Sequence, residues 1–438
     1  MTKNDQHQLQ LFQISDNASV EEKIAYNGIP VAQSTFKAGL AARVHRWFRL
    51  TPSFGPDLVQ EMLSELRFEP GEIVFDPFAG AGTTMIECQL LGITSYGFEI
   101  NPFLQWVGET SLNWNLDIVE LKATLELISE RFRELEPQVS IKTLDIYGLK
   151  IPPIHDPLRW WRPDVLAKLL LLKKVVDSLP QTHEIQAFFR LCLAGVLVPD
   201  LTNVTLGRLQ LHFIDRNEDN INVLDTYINH CRKMIEDLEE IQRLQLVRTS
   251  RDILNNSTKP GENIFTEKVN CVITSPPYPN RYSYVWNTRP HLYFFDFFGN
   301  PKQASDLDKL TIGGTWGTAT SVLSKGKIEA AYPIVADAAG HVIDEIRRSD
   351  NLMANYVMKY FNLLGKQITE MDRFVSPSVR IAYVVGCSRV KDVFVETDVL
   401  LGKIIEGLNL GYHVSKIDRI RKRNSGKDLH ESVVYATK

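Results

Sequence analysis

The sequence predicts an α/β protein with a mainly parallel sheet and a largely helical insertion. Three observations predict it. A strand, a glycine turn, a helix and a second strand follow one another between Ile73 and Ile100. Apolar residues then recur at three- and four-residue spacing through residues 104–247, the period of an amphipathic helix. Strand-like runs return at Val269–Ile273 and Val379–Gly386, so the second half of a sheet lies beyond the helical stretch.

Each element has a local reason. Residues 1–38 are polar and read as an N-terminal arm. Residues 39–103 read as the first half of a ligand-binding domain. In it, Ile73-Val74-Phe75 is a buried strand, Asp76–Gly82 a glycine-rich turn, Thr83–Leu91 a helix stopped by Gly92, and Ser95–Ile100 the next strand. Residues 104–247 hold Ile118, Leu121, Leu125, Ile128, Phe132 and Leu135 on one helical face, and Leu224, Tyr227, Cys231, Met234, Leu238 and Ile241 on another. This block is either a packing subdomain or an element that faces a nucleic acid. Residues 248–438 complete the domain and contain a loop-rich insertion over 297–347. A loop of that length in a compact domain is usually functional. Two strand-like pieces, Tyr412–Ile420 and Ser432–Thr437, close the chain around a basic turn.

Composition narrows the functional classes. The 438 residues are 44 % hydrophobic and 23 % charged, with a formal net charge of -4, which is ordinary globular composition. The longest apolar runs are too short to cross a bilayer. No apolar stretch follows a basic start, so the chain reads as cytoplasmic and without membrane contact. The five cysteines form no CxxC pair and the ten histidines no HExxH, so no metal is expected. Acidic net charge does not exclude nucleic acid, because the local field of a cleft decides.

Two motifs carry chemistry. The first is Asp76-Pro77-Phe78-Ala79-Gly80-Ala81-Gly82-Thr83-Thr84. Gly80 and Gly82 let the backbone approach a ligand and turn sharply into a helix, whose N-terminus favours an anionic group. A P-loop would need a lysine where Thr83 stands, and a dinucleotide fingerprint a third glycine where Met85 stands. Glu99 lies 23 residues after Asp76 at the end of the next strand, a position from which a carboxylate accepts two ribose hydroxyls. An S-adenosylmethionine (SAM) site is the reading that remains. The second motif, Thr274-Ser275-Pro276-Pro277-Tyr278, directly follows an apolar strand. Two prolines fix the backbone and remove donors. A hydroxyl, carbonyl acceptors and an aromatic ring are left together, which suits a planar group bearing an NH2.

Asp76–Thr84 and Ser275–Tyr278 together resemble the cofactor and catalytic motifs of the DNA amino-methyltransferases, which modify cytosine N4 or adenine N6. Ser-Pro-Pro-Tyr resembles the cytosine-N4 members. Ser275–Pro290, Ile312–Thr318 and the Arg423–Tyr435 region with Leu429-His430-Glu431 resemble one subgroup, and the likeness covers roughly 40–103 and 250–438. The resemblance implies a class I SAM-dependent methyltransferase fold, Rossmann-like, with the helical insertion added. It implies SAM as cofactor, held by Asp76, Phe78, Gly80, Gly82, Thr83, Glu99, Asp252 and Phe48. It implies Ser275, Pro276, Pro277 and Tyr278 as the catalytic set. Duplex DNA is the implied substrate, and a cognate restriction endonuclease or defence-system protein the implied partner.

An exocyclic amine is a poor nucleophile because its lone pair is delocalised into the ring. By this resemblance, Ser275 Oγ and the Pro276 carbonyl would accept the amine hydrogens, and Tyr278 would stack on a base turned out of the helix. Arg281, Arg289, Arg421 and Arg423 are candidate DNA contacts; Arg43, Arg46, Arg49 and Arg419 are further basic positions. From Gly411 to Lys438, seven Lys or Arg stand against three Asp or Glu. C5-cytosine chemistry is disfavoured because none of the cysteines follows a proline. Adenine-N6 methylation, RNA methylation and a non-catalytic SAM- or DNA-binding subunit are the alternatives.

Overall fold

The computed structural model describes residues 18–26, 39–51, 53–207, 210–262, 264–280, 282–314, 318–324, 332–422 and 429–438. Twelve strands occur among them: β1 (Ile24–Ala25), β2 (Ile73–Asp76), β3 (Thr94–Glu99), β4 (Val204–Leu206), β5 (Leu211–Phe213), β6 (Ser250–Leu254), β7 (Val269–Thr274), β8 (Val375–Gly386), β9 (Ser388–Val390), β10 (Val393–Val395), β11 (His413–Lys422) and β12 (His430–Thr437). Eight form one sheet in the order β1-β11-β12-β8-β7-β2-β3-β6. β6, β3, β2, β7 and β8 run parallel, and β12 is antiparallel to both neighbours, β8 and β11. This strand order, with a single reversed strand near one edge, is that of a class I SAM-dependent methyltransferase. The N-terminal arm contributes to it, because β1 pairs parallel with β11.

The helices are α1 (Pro56–Glu65), α2 (Thr83–Leu90), α3 (Pro102–Ser111), α4 (Ile118–Leu135), α5 (Pro157–Trp160), α6 (Pro163–Asp177), α7 (His183–Leu197), α8 (Val223–Gln242), α9 (Tyr284–Phe294), α10 (Pro301–Leu310), α11 (Thr318–Ser324), α12 (Pro333–Arg347), α13 (Asn351–Met371) and α14 (Thr397–Gly407). All four β2 residues are buried, as expected for a parallel strand covered on both faces. Successive side chains alternate between the faces. Val74, Cys271, Ile273 and Val384 meet Leu58, Val59 and Met62 of α1 on one face. Phe75, Val272, Ile381 and Tyr383 meet α12, α13 and α14 on the other.

The helical stretch divides in two. α3 is the crossover between the parallel neighbours β3 and β6, so it belongs to the sheet domain. Its start is fixed by Asn101, whose side chain accepts from the Phe103 and Leu104 amides ahead of Pro102 at the first turn. α4 to α8, with the β4–β5 hairpin, form the added block. Their apolar faces share one core with Met85 and Ile86 of α2, Phe103 and Val107 of α3, and Val285 and Leu292 of α9. Trp160 and Trp161 are buried in that core.

The described residues of 297–347 are mostly helical and not loop-rich. They carry α10, α11 and α12. Asn300 caps α10 reciprocally with Gln303, and Val335, Ala338, Ala339, Val342, Ile343 and Ile346 give α12 a buried stripe at helical spacing. The prolines and glycines at 299–301 and 313–314 mark the ends of helices and not a continuous loop.

Candidate functional site

A cleft of about 870 Å³, including its open mouth, lies at the C-terminal ends of β2, β3, β6 and β7. This is where a parallel α/β sheet binds its ligands. The turn after β2 supplies Pro77, Phe78, Ala79, Gly80, Ala81 and Thr83; the end of β3 supplies Glu99, Ile100 and Asn101. Asn255 to Thr258 follow β6, and Ser275 and Pro277 follow β7. Tyr284 and Val285 open α9, and Leu310, Thr311 and Ile312 close α10. Leu50, Ser53 and Phe54 form the remaining wall.

The glycine turn has the backbone that its sequence demands. Gly80 has φ +58° and Gly82 φ +93°, the left-handed region that glycine occupies without strain. Gly82 has a second reason. A Cβ there would stand 3.3 Å from the Gly108 Cα of α3, so two helices meet backbone to backbone. Asp76 lies beneath the cleft and does not line it. Its carboxylate accepts from Thr84 Oγ1 (2.7 Å), Thr274 Oγ1 (2.5 Å) and the Phe78 amide (2.9 Å). It thereby ties β2 to the start of α2 and the end of β7. Burial pushes its pKa up to about 6 against the pull of those bonds.

Glu99 does line the cleft. It accepts from the Gly80 amide (2.9 Å) and the Asn101 amide (2.7 Å). Burial raises its pKa to about 7, the two amides oppose the rise, and Asp76 adds to it. Asp252 does not reach the cleft. It sits in the middle of β6, opposite Gly97, with both carboxylate oxygens buried and without a hydrogen-bond partner. Burial, then Glu99, Glu109 and Asp76, hold its carboxyl far above the usual range. The residues at the end of that strand which do line the cleft are Asn255 and Asn256. They are the first polar residues beyond the apolar run, and that was the available signal. Phe48 is displaced too. It packs edge-on against Phe103 and His291, 5.3 Å from each, in an adjoining cavity that shares Leu50, Ser53 and Phe54 with the cleft.

The second motif meets the first here. Ser275 and Pro277 line the same cleft as Glu99 and Gly80, while Pro276 is buried behind them. Tyr278 is half-buried, and its hydroxyl donates to Glu431 Oε1 at 2.6 Å. Glu431 also pairs with Arg421. β11 and β12 therefore reach across to the loop after β7, a partnership that spacing alone could not disclose.

The basic candidates divide. Arg281 and Arg423 lie outside the described residues. Arg421 is taken up by Glu431, Arg43 by Glu240, Arg46 by Asp237, and Arg419 by Asp398 and Glu396. Ion pairing answers those charges within the fold. Arg289 is different. It is half-buried against Trp286 and Trp160.

Comparison with known proteins agrees with this geometry. The family model described as DNA methylase, covering the N6 and N4 methyltransferases, matches residues 5–105. The type II methyltransferase M.BsoBI of Geobacillus stearothermophilus is 24 % identical, over 94 % of this chain and 86 % of that one. M.MvaI of Kocuria varians is 22 % identical, over 88 % of this chain and 86 % of that one. In both motifs and most of its length the chain is similar to the DNA amino-methyltransferases. M.AvaI of Nostoc, another type II methyltransferase, is 22 % identical over 87 % of this chain and 82 % of its own length. Among solved structures, an rRNA methyltransferase of Streptomyces viridochromogenes aligns over 92 % of each chain at 9 % identity and a TM-score of 0.33.

The methyl donor of a DNA amino-methyltransferase is SAM, and the cleft fits it. Glu99 offers the cleft a carboxylate acceptor, Phe78, Ile100 and Ile312 apolar surface, and Asn255 and Asn256 polar amides, a mix that suits a ligand with hydroxyls, a flat ring and an apolar stretch. No helix among the described residues is long and apolar enough to cross a membrane.

Proposed function

We propose that this chain is a site-specific DNA methyltransferase acting on the exocyclic N4 amine of cytosine, with the base turned out of the duplex. One observation carries the reading: Ser275 and Pro277, from the turn after β7, line the same cleft as Glu99 and the glycine turn after β2. A methyl donor and an amine-binding loop therefore share one cavity.

In this reading Glu99 holds the cofactor ribose, Phe78 packs on the cofactor, and Gly80, Gly82 and Thr83 let the backbone approach it. Asp76 positions the turn through Thr84 and Thr274 and makes no direct contact. Asn255 and Asn256 take the place first expected of Asp252. Bound SAM supplies an electrophilic methyl group on a sulfonium. Ser275 Oγ and the Pro276 carbonyl accept the two amine hydrogens, pull nitrogen towards tetrahedral geometry and localise its lone pair. Tyr278 stacks on the base, with its hydroxyl anchored on Glu431. Stacking contributes about 1–3 kcal/mol, which offsets the cost of a few kcal/mol for unpairing and unstacking. The proton leaves after transfer, when the amine is strongly acidic, so no strong general base is required. Serine at position 275 favours cytosine N4 over adenine N6. The type II relatives support a cognate restriction endonuclease as partner.

The test is expression in a host without DNA methylation, followed by nucleoside mass spectrometry of hydrolysed DNA. N4-methylcytosine is expected with the wild type and is reduced about 10²–10³-fold in rate for Ser275→Ala, the usual cost of losing an electrostatic partner of the transition state. N6-methyladenine would keep the mechanism and replace the base. Full activity of Ser275→Ala would remove Ser275 from its role.

A further inference from the structure

A second cavity, of about 600 Å³ including its mouth, lies on the other side of the first turn of α9. Val285 lines both this cavity and the catalytic cleft. Its walls come from the two segments that flank α9 in space: Ile154 and His155 precede α5 in the helical block, and Ala304, Ser305 and Asp308 belong to α10. The cavity is therefore bounded by both parts of the chain that the bare class I fold does not require.

Its chemistry is specific. The Arg289 guanidinium lies over Trp286, 3.0 Å from the ring centre, and 5.2 Å from that of Trp160. Arg289 forms no ion pair among the described residues. Asp308, on the cavity wall, accepts from Ser283 Oγ at 2.6 Å. Burial pulls the Arg289 pKa down to about 9. Arg289 Nε donates to the Trp286 carbonyl at 3.1 Å. The two terminal nitrogens keep a fork of parallel N–H donors. The aromatic row runs outward: Phe213 of β5 meets Trp160 edge-on at 4.9 Å, and Arg159 covers Phe213 at 4.0 Å. Trp286 and Phe213 are each 37 % exposed.

We propose that this cavity reads a guanine of the bound duplex, a site that rests on the DNA-methylating reading above. Guanine is the base with two acceptors side by side, O6 and N7, and a two-pronged arginine is its commonest specific partner. The Trp286 ring beneath the guanidinium holds its plane, so the fork is aimed at a base edge. Arginines answered by carboxylates within the fold cannot do this. Arg289 remains available because no carboxylate among the described residues pairs with it.

The probe is a duplex carrying the site mapped from modified DNA, with each guanine replaced in turn by 7-deazaguanine, which lacks the N7 acceptor. Affinity is measured for the full chain with Arg289, Arg289→Gln and Arg289→Lys. At one guanine the replacement should weaken wild-type binding about tenfold and leave both variants unaffected, because each lacks the fork and Arg289→Lys keeps the charge. Trp286→Ala should weaken binding most when that guanine is intact. Binding and methylation with strictly additive effects at every guanine would overturn the pocket alone. Absence of any duplex binding or modified base would overturn both the pocket and the methyltransferase reading.

Discussion

Glu99 is the residue whose ionisation matters most. In the folded chain its carboxyl keeps a proton up to about pH 7, against an ordinary value of 4.5. Folding therefore takes up a proton between those values. The contribution of this group to stability is fully present below the unfolded value and is lost as pH rises through about 7. In the role proposed for Glu99, cofactor affinity has the opposite sign, because only the carboxylate accepts two hydroxyls. SAM affinity should rise about tenfold per pH unit below 7 and level off above it. Calorimetric titration over that range checks this, and Glu99→Gln should bind weakly and lose the inflection near 7. Asp76, raised to about 6, titrates nearby, so a second inflection near that value belongs to it. Tyr278 makes a second residue-scale case. Tyr278→Phe and Glu431→Ala each remove the same hydroxyl-to-carboxylate bond, of a kind that contributes about 1.5–3 kcal/mol, and Arg421→Ala is the control for the ion pair that the second also breaks. The first two should each raise KM for DNA about tenfold with kcat nearly unchanged, and their double variant should be no worse than either single one. Additive losses in steady-state kinetics would show that Glu431 does not act through Tyr278. The sequence pointed to both tyrosine and glutamate by resemblance, but their 153-residue separation hid the bond.

Elements meet where side chains are absent. A Cβ on Gly108 of α3 would fall 2.2 Å from Asp252 Oδ2 of β6. Gly108→Ala should therefore destabilise the fold by about 1–3 kcal/mol, read by denaturant unfolding. Adding Asp252→Ala, which removes the obstructing carboxyl, should recover most of that loss. If it does not, the close approach is set by the backbone and not by Asp252. This pairing explains why Asp252 was misjudged. An acid on the third parallel strand looked like a cofactor ligand, yet its position within β6 points it at α3, and only the strand end reaches the cleft. The 297–347 stretch was misjudged for a related reason. Its short helices are punctuated by glycine and proline, and the helical stripe of α12 is evident only once α13 and α14 are there to cover it.

At the scale of the whole molecule, the helical block is welded to the sheet domain. Its apolar faces share a core with α2, α3 and α9. Asp237 of α8 accepts from Arg46, the Trp47 indole and the Val44 amide beside the cleft wall. Tryptophan fluorescence and circular dichroism should therefore report one coincident unfolding transition. SAM at a hundredfold its Kd should stabilise that single transition by about 2.7 kcal/mol. Two separated transitions, only one of them moved by SAM, would mean that the block is an independent domain. By itself the sequence determined the βαβ unit, the glycine turn, the helical periodicity and the two motifs, because these rest on local backbone conformation and on side chains a few residues apart. Only the tertiary structure decided the rest. It placed Asn255 and Asn256 in the cleft and withdrew Asp252 and Phe48, answered Arg43, Arg46, Arg419 and Arg421 with carboxylates, joined Tyr278 to Glu431 and left Arg289 between two tryptophans. Those outcomes depend on which distant surfaces are brought together and on which charges find partners there, and spacing along a chain does not encode either.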